Sequence, residues 1–567
     1  MSTNDEDDRE VTKRLSAPYL SNVSLRLFTP LVERFSFISS LLFWNSGVGN
    51  LRNRTFEDDV TMIPLPLPKE LFEIEEEKNV VGLEIFRQGK EKNHSFSEHS
   101  SYFSALDFHE AYLSKKLTPL KVCESLILKI QESHSGNSSL DCICMYNQDD
   151  IIAQATASTA RYEQNLAWGP LDGVPIAVKD EVDVKGYETR AGTKYINLNN
   201  PAQKDSFAVK KLKDKGAIII GKTSMHEIGL DITGNNPNFL TPRNPYNVEH
   251  YSGGSSGGSG CVVAAGLCPI AIGCDGGGSI RVPSAFCGIY GLKTTCGRVS
   301  ATGKCVGGPM ASSAEDLAMS YYVMAGKDPE DPKTFHQPSP TLHGLYSTDD
   351  LSDLKIGVFS AWNKQVTNPA ISEAVKTFTE AFKLRGAEIV EIEIPELEEA
   401  RLAHVISIGA EHNAAISKYN GNHLLTHPNR ILLSVTSNIT VSDYMQAQQV
   451  RNRAMRNLSK VFSQVNLILT PTTAITAPKI RPSALKYGEV DSLTTSDGMR
   501  FMQLSNFTGI PAVSVPAGYD DNQLPIGLHF MAKWYDEATL LRMAKASEEI
   551  LGSKRKRPDK FWFGNWL

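Results

Sequence analysis

Two glycine- and serine-rich loops and one lysine are the parts of this sequence best suited to chemistry. The first loop, residues 251–260, contains Ser255, and the second loop, residues 273–283, contains Ser279. Gly/Ser tracts are usually flexible linkers, but apolar segments flank these loops, so we expect both to fold into the core with converging backbone N–H groups. A serine hydroxyl becomes a good nucleophile only beside a base. Lys179 ends an apolar run and could be that base if burial keeps it neutral.

Other motifs with similar letters fit this sequence poorly. Residues 253–257 match G-x-S-x-G, but that nucleophile elbow needs a strand directly before the serine, and residues 244–250 predict a Pro/Asn-rich loop. No Lys-Ser or Lys-Thr follows either glycine run, as a P-loop requires, and no G-x-G-x-x-G opens a helix here. The glycine-rich loops therefore give little support to a nucleotide-binding function.

The segments around these residues predict alternating strands and helices. Residues 175–178 predict a buried strand that ends at Lys179. We expect further strands at residues 217–220, 354–359, 389–394, 467–470 and 513–515, and helices at 106–130, 151–164 and 208–215. Buried apolar strands that alternate with helices are typical of an α/β fold with a helix-covered, mostly parallel or mixed sheet.

Composition and charge exclude several classes of protein. The chain of 567 residues is 41% hydrophobic with a net charge of -6, which is ordinary for a globular protein and predicts no nucleic-acid partner. Its nine cysteines are an odd number without the spacing of a disulfide framework or zinc finger, so we expect no metal site. We also expect no cofactor. The acidic N-terminus differs from a signal peptide, which predicts a protein that is not secreted.

Residues 19–44 show the three- and four-residue spacing of apolar side chains that predicts helices. Pro30 should break or kink this run, giving two short helices. No span of about 18 apolar residues exists, so we do not expect a membrane-spanning helix. The helices could pack on the main domain or on a partner protomer, or they could lie in a membrane interface. In the second case the aromatic side chains in the headgroup region would be Phe28, Phe35, Phe37, Phe43 and Trp44.

Three motifs of this chain together resemble the amidase signature family. They are Gly-Val-Pro-Ile-Ala-Val-Lys-Asp around Lys179, Gly-Gly-Ser-Ser-Gly-Gly around Ser255, and Asp-Gly-Gly-Gly-Ser-Ile-Arg-Val-Pro around Ser279. The likeness extends from about residue 105 to 550 and is greatest to the plant fatty acid amide hydrolase subgroup. It implies a central twisted mixed β-sheet covered by helices on both faces. Residues 1–105 would form an N-terminal extension with amphipathic helices and an extended connector, and residues 106–567 the catalytic domain.

The resemblance also assigns roles within the two loops. Ser279 would be the nucleophile, Ser255 the proton bridge and Lys179 the base of a Ser-Ser-Lys set. The implied oxyanion-hole donors are the backbone N–H groups of Gly276, Gly277, Gly278 and Ser279. The implied supporting side chains are Ser256, Asp275 and Arg281. Cys274 stands where the family often has Thr, and we expect this departure to change packing only.

By resemblance, the substrates would be N-acylethanolamines, cleaved to free fatty acid and amine through an acyl-enzyme. The enzyme would be a homodimer in peripheral contact with the cytosolic side of the endoplasmic reticulum or plasma membrane. Alternatives are a soluble cytosolic location, a small-amide amidase such as an indole-3-acetamide hydrolase, a non-catalytic amidase-fold receptor and a component of a glutaminyl-tRNA amidotransferase. The intact Lys179, Ser255 and Ser279 count against the receptor. An amidotransferase role would leave residues 19–44 unexplained.

Overall fold

The computed structural model describes residues 11–15, 17–65, 81–86, 102–135, 139–300 and 306–566. Residues 66–80 and 87–101, where the extended connector of the N-terminal extension was predicted, lie outside these ranges. The strands are β1 (Leu20–Ser21), β2 (Ile143–Met145), β3 (Pro175–Lys179), β4 (Ile218–Thr223), β5 (Arg243–Asn244), β6 (Asn247–Tyr251), β7 (Ile270–Asp275), β8 (Tyr290–Lys293), β9 (Val306–Ala311), β10 (Lys355–Val358), β11 (Glu388–Glu391), β12 (Leu467–Pro471), β13 (Glu489–Val490), β14 (Ala512–Tyr519) and β15 (Pro525–Ala532).

Helices connect most of these strands, with short 3-10 turns between some of them. The helices are α1 (Asn22–Arg34), α2 (Ser36–Asn45), α3 (Ala105–Leu113), α4 (Pro119–Ser133), α5 (Gln148–Glu163), α6 (Phe207–Lys213), α7 (Gly257–Ala264), α8 (Arg281–Phe286), α9 (Ala314–Met324), α10 (Ser360–Asn363), α11 (Pro369–Leu384), α12 (Leu397–Ile416), α13 (His427–Thr436), α14 (Val441–Phe462), α15 (Ala484–Tyr487), α16 (Ser492–Met499), α17 (Gln503–Thr508) and α18 (Glu537–Leu551).

One mixed sheet of eleven strands organises the molecule, in the order β11-β10-β12-β15-β14-β8-β9-β7-β3-β4-β2. The β3 strand pairs in parallel with β4 and β7, whereas β14, β15, β8 and β9 pair in antiparallel fashion with their neighbours. Alternate residues of β12 enter two different hydrophobic clusters, because Leu467 and Leu469 pack in one and Ile468 in the other. Side chains alternate across a strand, so both faces of the sheet are buried under other elements.

The predicted α/β architecture is confirmed, with differences in detail. Each of the six predicted strands is present, although several are shifted by one or a few residues. The strands β7, β8, β9 and β15 were not predicted, because glycines and prolines interrupt them. The prediction of a loop at residues 244–250 is wrong in part, because β5 and β6 form a small antiparallel sheet there. That sheet is separate from the main one.

The N-terminal run forms two helices as expected, but the break falls at Phe35 and not at Pro30, which lies inside α1. Leu25 and Val32 of α1 are buried against Ile431 of α13, and β1 pairs with β13. The extension is therefore docked on the rest of the fold through this stripe, and also through Phe43, Val48 and Leu51, which pack in a second buried cluster. In the part of the chain that the structure describes, no helix has both the length and the apolar character to span a membrane.

Candidate active site

Lys179 lies at the end of β3, a strand whose five residues are all buried between β4 and β7. Its side chain is fully buried, which confirms the predicted burial. The Nζ atom lies 2.8 Å from Ser255 Oγ and donates a hydrogen bond to the carbonyl oxygen of Cys274 over 3.3 Å. A buried amine beside a serine hydroxyl is the arrangement that a lysine base requires.

Ser255 stands between β6 and α7 in a loop that is packed too closely for side chains at its glycines. Gly253 has a φ of 88°, and a Cβ there would lie 2.7 Å from Pro283 Cα. A Cβ on Gly254 would lie 2.7 Å from the backbone nitrogen of Gly234. The peptide bond between Gly254 and Ser255 is cis. The loop is part of the core, as the sequence predicted, and it holds Ser255 by its main chain.

Ser279 follows β7 in the loop that leads into α8. The backbone N–H of Ser256 donates to the carbonyl oxygen of Ser279 over 3.1 Å. The hydroxyl of Ser256 donates to the carbonyl oxygen of Cys274 over 3.3 Å. Ser279 is partly exposed, whereas Ser255 and Lys179 are buried. A backbone hydrogen bond thus joins the two loops. Ser255 contacts Lys179, and Ser256, which follows Ser255, is hydrogen-bonded to Ser279.

A buried ion pair supports the loop that carries Ser279. Asp275 accepts two hydrogen bonds of 3.0 Å from Arg281 and one of 2.8 Å from Asn506. Arg281 also donates to Ser505 Oγ over 2.6 Å and lies 3.0 Å from His529 Nε2. Burial by itself raises the pKa of Asp275, but the charge and hydrogen bonds of Arg281 outweigh it and hold the pKa below its ordinary range. These contacts agree with the expected bracing role of the pair.

The glycines of this loop do not all point their N–H groups the same way. The N–H of Gly278 donates to Asp275 Oδ1 over 2.6 Å, and its φ of 115° favours glycine. Gly278 therefore braces its own loop, which corrects its predicted place among the oxyanion-hole donors. The backbone N–H groups of Gly276, Gly277 and Ser279 remain candidate oxyanion-hole donors.

Two polar side chains at the site were not predicted from the sequence. Glu181 Oε1 lies 2.7 Å from Lys179 Nζ. His404 Nε2, on α12, lies 2.9 Å from the carbonyl oxygen of Gly276. Burial lowers the pKa of His404 to about 4, so the ring is neutral near pH 7 and donates this bond. Glu181 could have been noticed two positions after the lysine, but His404 is 128 residues from Gly276 and carries no local signal.

His226 is a further ionisable side chain beside the serine loop. Its backbone N–H donates to the carbonyl oxygen of Ser255 over 3.1 Å. Burial, with the nearby charge of Lys179, lowers the pKa of His226 to about 3, so this ring is also neutral near pH 7. Among the residues that the structure describes, no group of three His, Cys, Asp or Glu side chains could hold a metal ion.

A family model described as "Amidase" matches residues 122–541, a span that includes Lys179, Ser255 and Ser279. The chain belongs to the amidase family. This membership confirms the resemblance noted in the sequence and makes the protein an amide-hydrolysing enzyme.

Relatives of this amidase extend the match beyond the family span. This chain is 36% identical to the fatty acid amide hydrolase of Medicago truncatula and 37% identical to that of Arabidopsis thaliana. Each alignment covers 97% of this chain and 95% of the relative. A glutamyl-tRNA(Gln) amidotransferase component of Halothermothrix orenii is 33% identical over 72% of this chain and 92% of the relative. The predicted likeness to plant fatty acid amide hydrolases is confirmed.

Solved structures share the fold of this amidase. The peptide amidase PAM, in complex with the competitive inhibitor chymostatin, is 25% identical with a TM-score of 0.70, over 81% of this chain and 99% of that chain. A bacterial aryl acylamidase is 26% identical with a TM-score of 0.70, over 80% of this chain and 96% of that one. These neighbours confirm the predicted amidase-signature fold.

Proposed function

We propose that this amidase hydrolyses fatty acid amides, and N-acylethanolamines in particular, to free fatty acid and amine through Ser279, Ser255 and Lys179. The mechanism depends on one observation above all, the 2.8 Å contact between the buried Nζ of Lys179 and the Oγ of Ser255. The backbone hydrogen bond from the Ser256 N–H to the Ser279 carbonyl oxygen supports including Ser279 in this set, because it joins the two serine loops.

In the first half-reaction, the Ser279 hydroxyl gives its proton to Ser255, and Ser255 gives its own to the neutral amine of Lys179. The Ser279 oxygen forms a bond to the amide carbon, and the resulting oxyanion accepts hydrogen bonds from backbone N–H groups. One such donor is typically worth about 3 kcal/mol of barrier. The proton then returns through Ser255 to the amide nitrogen, because an amine leaves readily only when protonated. The C–N bond breaks, and the acyl group remains on Ser279.

In the second half-reaction, water attacks the acyl carbon, and Lys179 again receives a proton through Ser255. The proton goes back to the Ser279 oxygen as its bond to the acyl carbon breaks. The free fatty acid departs, and the enzyme returns to its starting state. Asp275 and Arg281 take part only by holding the loop that bears Ser279.

The relatives and the surface of the extension support a lipid amide over a small one. The fatty acid amide hydrolase relatives align with 97% of this chain and so reach into its N-terminal region, whereas the amidotransferase component of Halothermothrix orenii covers 72%. The helices α1 and α2 expose apolar side chains, among them Val23, Leu27, Phe37 and Leu41. An exposed apolar patch of this kind is typical of a binding surface.

We further propose that the extension, residues 1–105, brings the catalytic domain into peripheral contact with a membrane on its cytosolic side, of the endoplasmic reticulum or plasma membrane. Phe37 is 68% exposed and suits this contact. Phe43, by contrast, is 2% exposed and packs in the core, so it drops out of the predicted aromatic set. A homodimer is part of the same proposal, and a soluble cytosolic enzyme is the alternative.

Labelling with a fluorophosphonate probe tests the nucleophile. We expect the probe to modify one serine, which peptide mapping identifies as Ser279, and we expect no labelling of Ser279→Ala. A label on another serine would contradict the assignment of Ser279 as nucleophile, and no label on the wild-type protein would favour the non-catalytic alternative.

Hydrolysis of oleoyl ethanolamide against indole-3-acetamide tests the substrate class. We expect a higher kcat/KM for the lipid amide, because a long acyl chain offers more apolar surface to bury on binding. Turnover of the small amide alone would make this protein a small-amide amidase and would leave the serine chemistry intact.

A further inference from the structure

We propose that Glu181 controls the protonation of Lys179 and thereby sets the pH at which this amidase becomes active. The inference rests on the proposed function, in which Lys179 is the base. Glu181 Oε1 lies 2.7 Å from Lys179 Nζ; the Glu181 side chain is 17% exposed and that of Lys179 is fully buried. Glu181 acts through the lysine and is therefore a positioning residue, not a catalytic one.

The contacts of Lys179 Nζ allow a proton to be taken up without rearrangement. Three oxygen atoms lie near it: Ser255 Oγ at 2.8 Å, the Cys274 carbonyl oxygen at 3.3 Å and Glu181 Oε1 at 2.7 Å. A neutral amine can donate to the Cys274 carbonyl while its lone pair accepts the Ser255 hydroxyl, and the Glu181 carboxylate lies beside it in ionic contact. Once protonated, the ammonium can donate to Ser255 and to the carbonyl while its charge faces Glu181. Only the proton between Ser255 and Lys179 has to move.

The charge of Glu181 has two opposing effects on the reaction. A carboxylate beside an amine favours the protonated form of that amine. Glu181 therefore stabilises the ammonium that forms as Lys179 takes a proton from Ser255. The same attraction keeps Lys179 protonated, and so unable to act as a base, in the resting enzyme at lower pH. Removal of the Glu181 charge should move the acid limb of the rate profile to lower pH.

Other ionisable groups on the elements packed around Lys179 have partners of their own or do not titrate near neutral pH. They are Asp180 beside Lys222 at 3.7 Å, Asp275 paired with Arg281, Glu227 bonded to Asn429 and the Thr426 N–H, and His226 with a pKa of about 3. The side chain of Cys274 is also buried nearby. Glu181 is the carboxylate whose contact with Lys179 Nζ is direct.

The test compares rate profiles of the wild-type enzyme and four variants. Glu181→Gln and Glu181→Ala remove the charge, and Glu181→Asp keeps it. Glu188→Gln is the matched control, because that carboxylate pairs with Arg190 and has a similar exposure of 16%. The measurement is kcat/KM for one amide from about pH 5 to pH 10, since this quantity reports groups that titrate in the free enzyme. The thermal midpoint of each variant checks folding, and two neutral variants guard against one that misfolds.

We expect both neutral variants to move the midpoint of the acid limb downward by about 1–3 pH units. Glu181→Asp and Glu188→Gln should keep the wild-type midpoint. An unmoved midpoint in folded Glu181→Gln and Glu181→Ala would overturn this inference, while the proposed function would stand on the labelling of Ser279. If Ser279 were not labelled in the wild-type enzyme, the proposed function itself would fail, and the role of Glu181 with it.

Discussion

The catalytic core and the N-terminal extension of this amidase bury and expose opposite kinds of side chain. In the core, the ionisable side chains of Lys179, Asp275 and Arg281 are fully buried, and each lies close to an ionisable group of the opposite type. In the extension, apolar side chains such as Leu27 and Phe37 are exposed on α1 and α2. Buried charges require partners and so fix geometry, whereas exposed apolar surface calls for something to cover it. The proposed chemistry and the proposed membrane contact thus belong to different regions.

The largest difference between the two regions should be seen in kcat, when residues of the core are substituted. We expect Ser279→Ala to lower kcat by at least about three orders of magnitude, because the proposed acyl-enzyme forms on the Ser279 oxygen. Lys179→Ala should lower it strongly as well, with partial recovery at high pH, where hydroxide can take the proton. Steady-state rates against one amide measure both. A wild-type rate for Lys179→Ala at neutral pH would refute the assignment of Lys179 as the base.

Stability provides the second contrast, between a buried ion pair and an exposed one. Arg281→Met leaves Asp275 as an uncompensated buried charge and should lower the free energy of unfolding by about 3–5 kcal/mol. Arg430→Ala breaks the 2.8 Å pair with Glu33 of α1 at a partly exposed site and should cost at most about 1 kcal/mol. Urea unfolding of both variants gives the comparison. Equal losses would mean that the extension is as firmly built as the core.

Most of the fold and part of the candidate site could be predicted from local sequence. The buried strand that ends at Lys179 and the two close-packed glycine loops were predictable, because burial and glycine spacing are local properties. The contact of His404 with Gly276 was not, since it depends on how α12 crosses the loop from far along the chain. The direction of the Gly278 N–H was missed for a related reason: which way a peptide turns depends on the acceptor that folding brings to it.

His404 offers a smaller effect within the core. Its bond to the Gly276 carbonyl orients the peptide whose N–H belongs to Gly277, because the two groups of a trans peptide point in opposite directions. His404→Phe should lower kcat by about 10- to 100-fold, the equivalent of one hydrogen bond to a buried group, with KM little changed. His404→Gln keeps a donor and should recover part of the rate. A rise in KM alone would place His404 in substrate binding instead.

The smallest effect should come from substitutions in the extension, and it should change membrane binding without changing kcat. Leu27 and Phe37 are exposed on α1 and α2, so the double change to Ser should weaken binding to liposomes by about tenfold or more, since each side chain loses apolar surface to bury. Leu384 on α11 is 89% exposed, and Leu384→Ser is the matched control for a solitary surface leucine. Flotation with vesicles measures binding, and hydrolysis of a soluble amide checks the core. Because the apolar face of the extension is separate from the buried charges, kcat for the soluble amide should not change. Equal weakening by Leu384→Ser would remove the special role of α1 and α2, and a fall in soluble-amide turnover would show that the two regions are coupled.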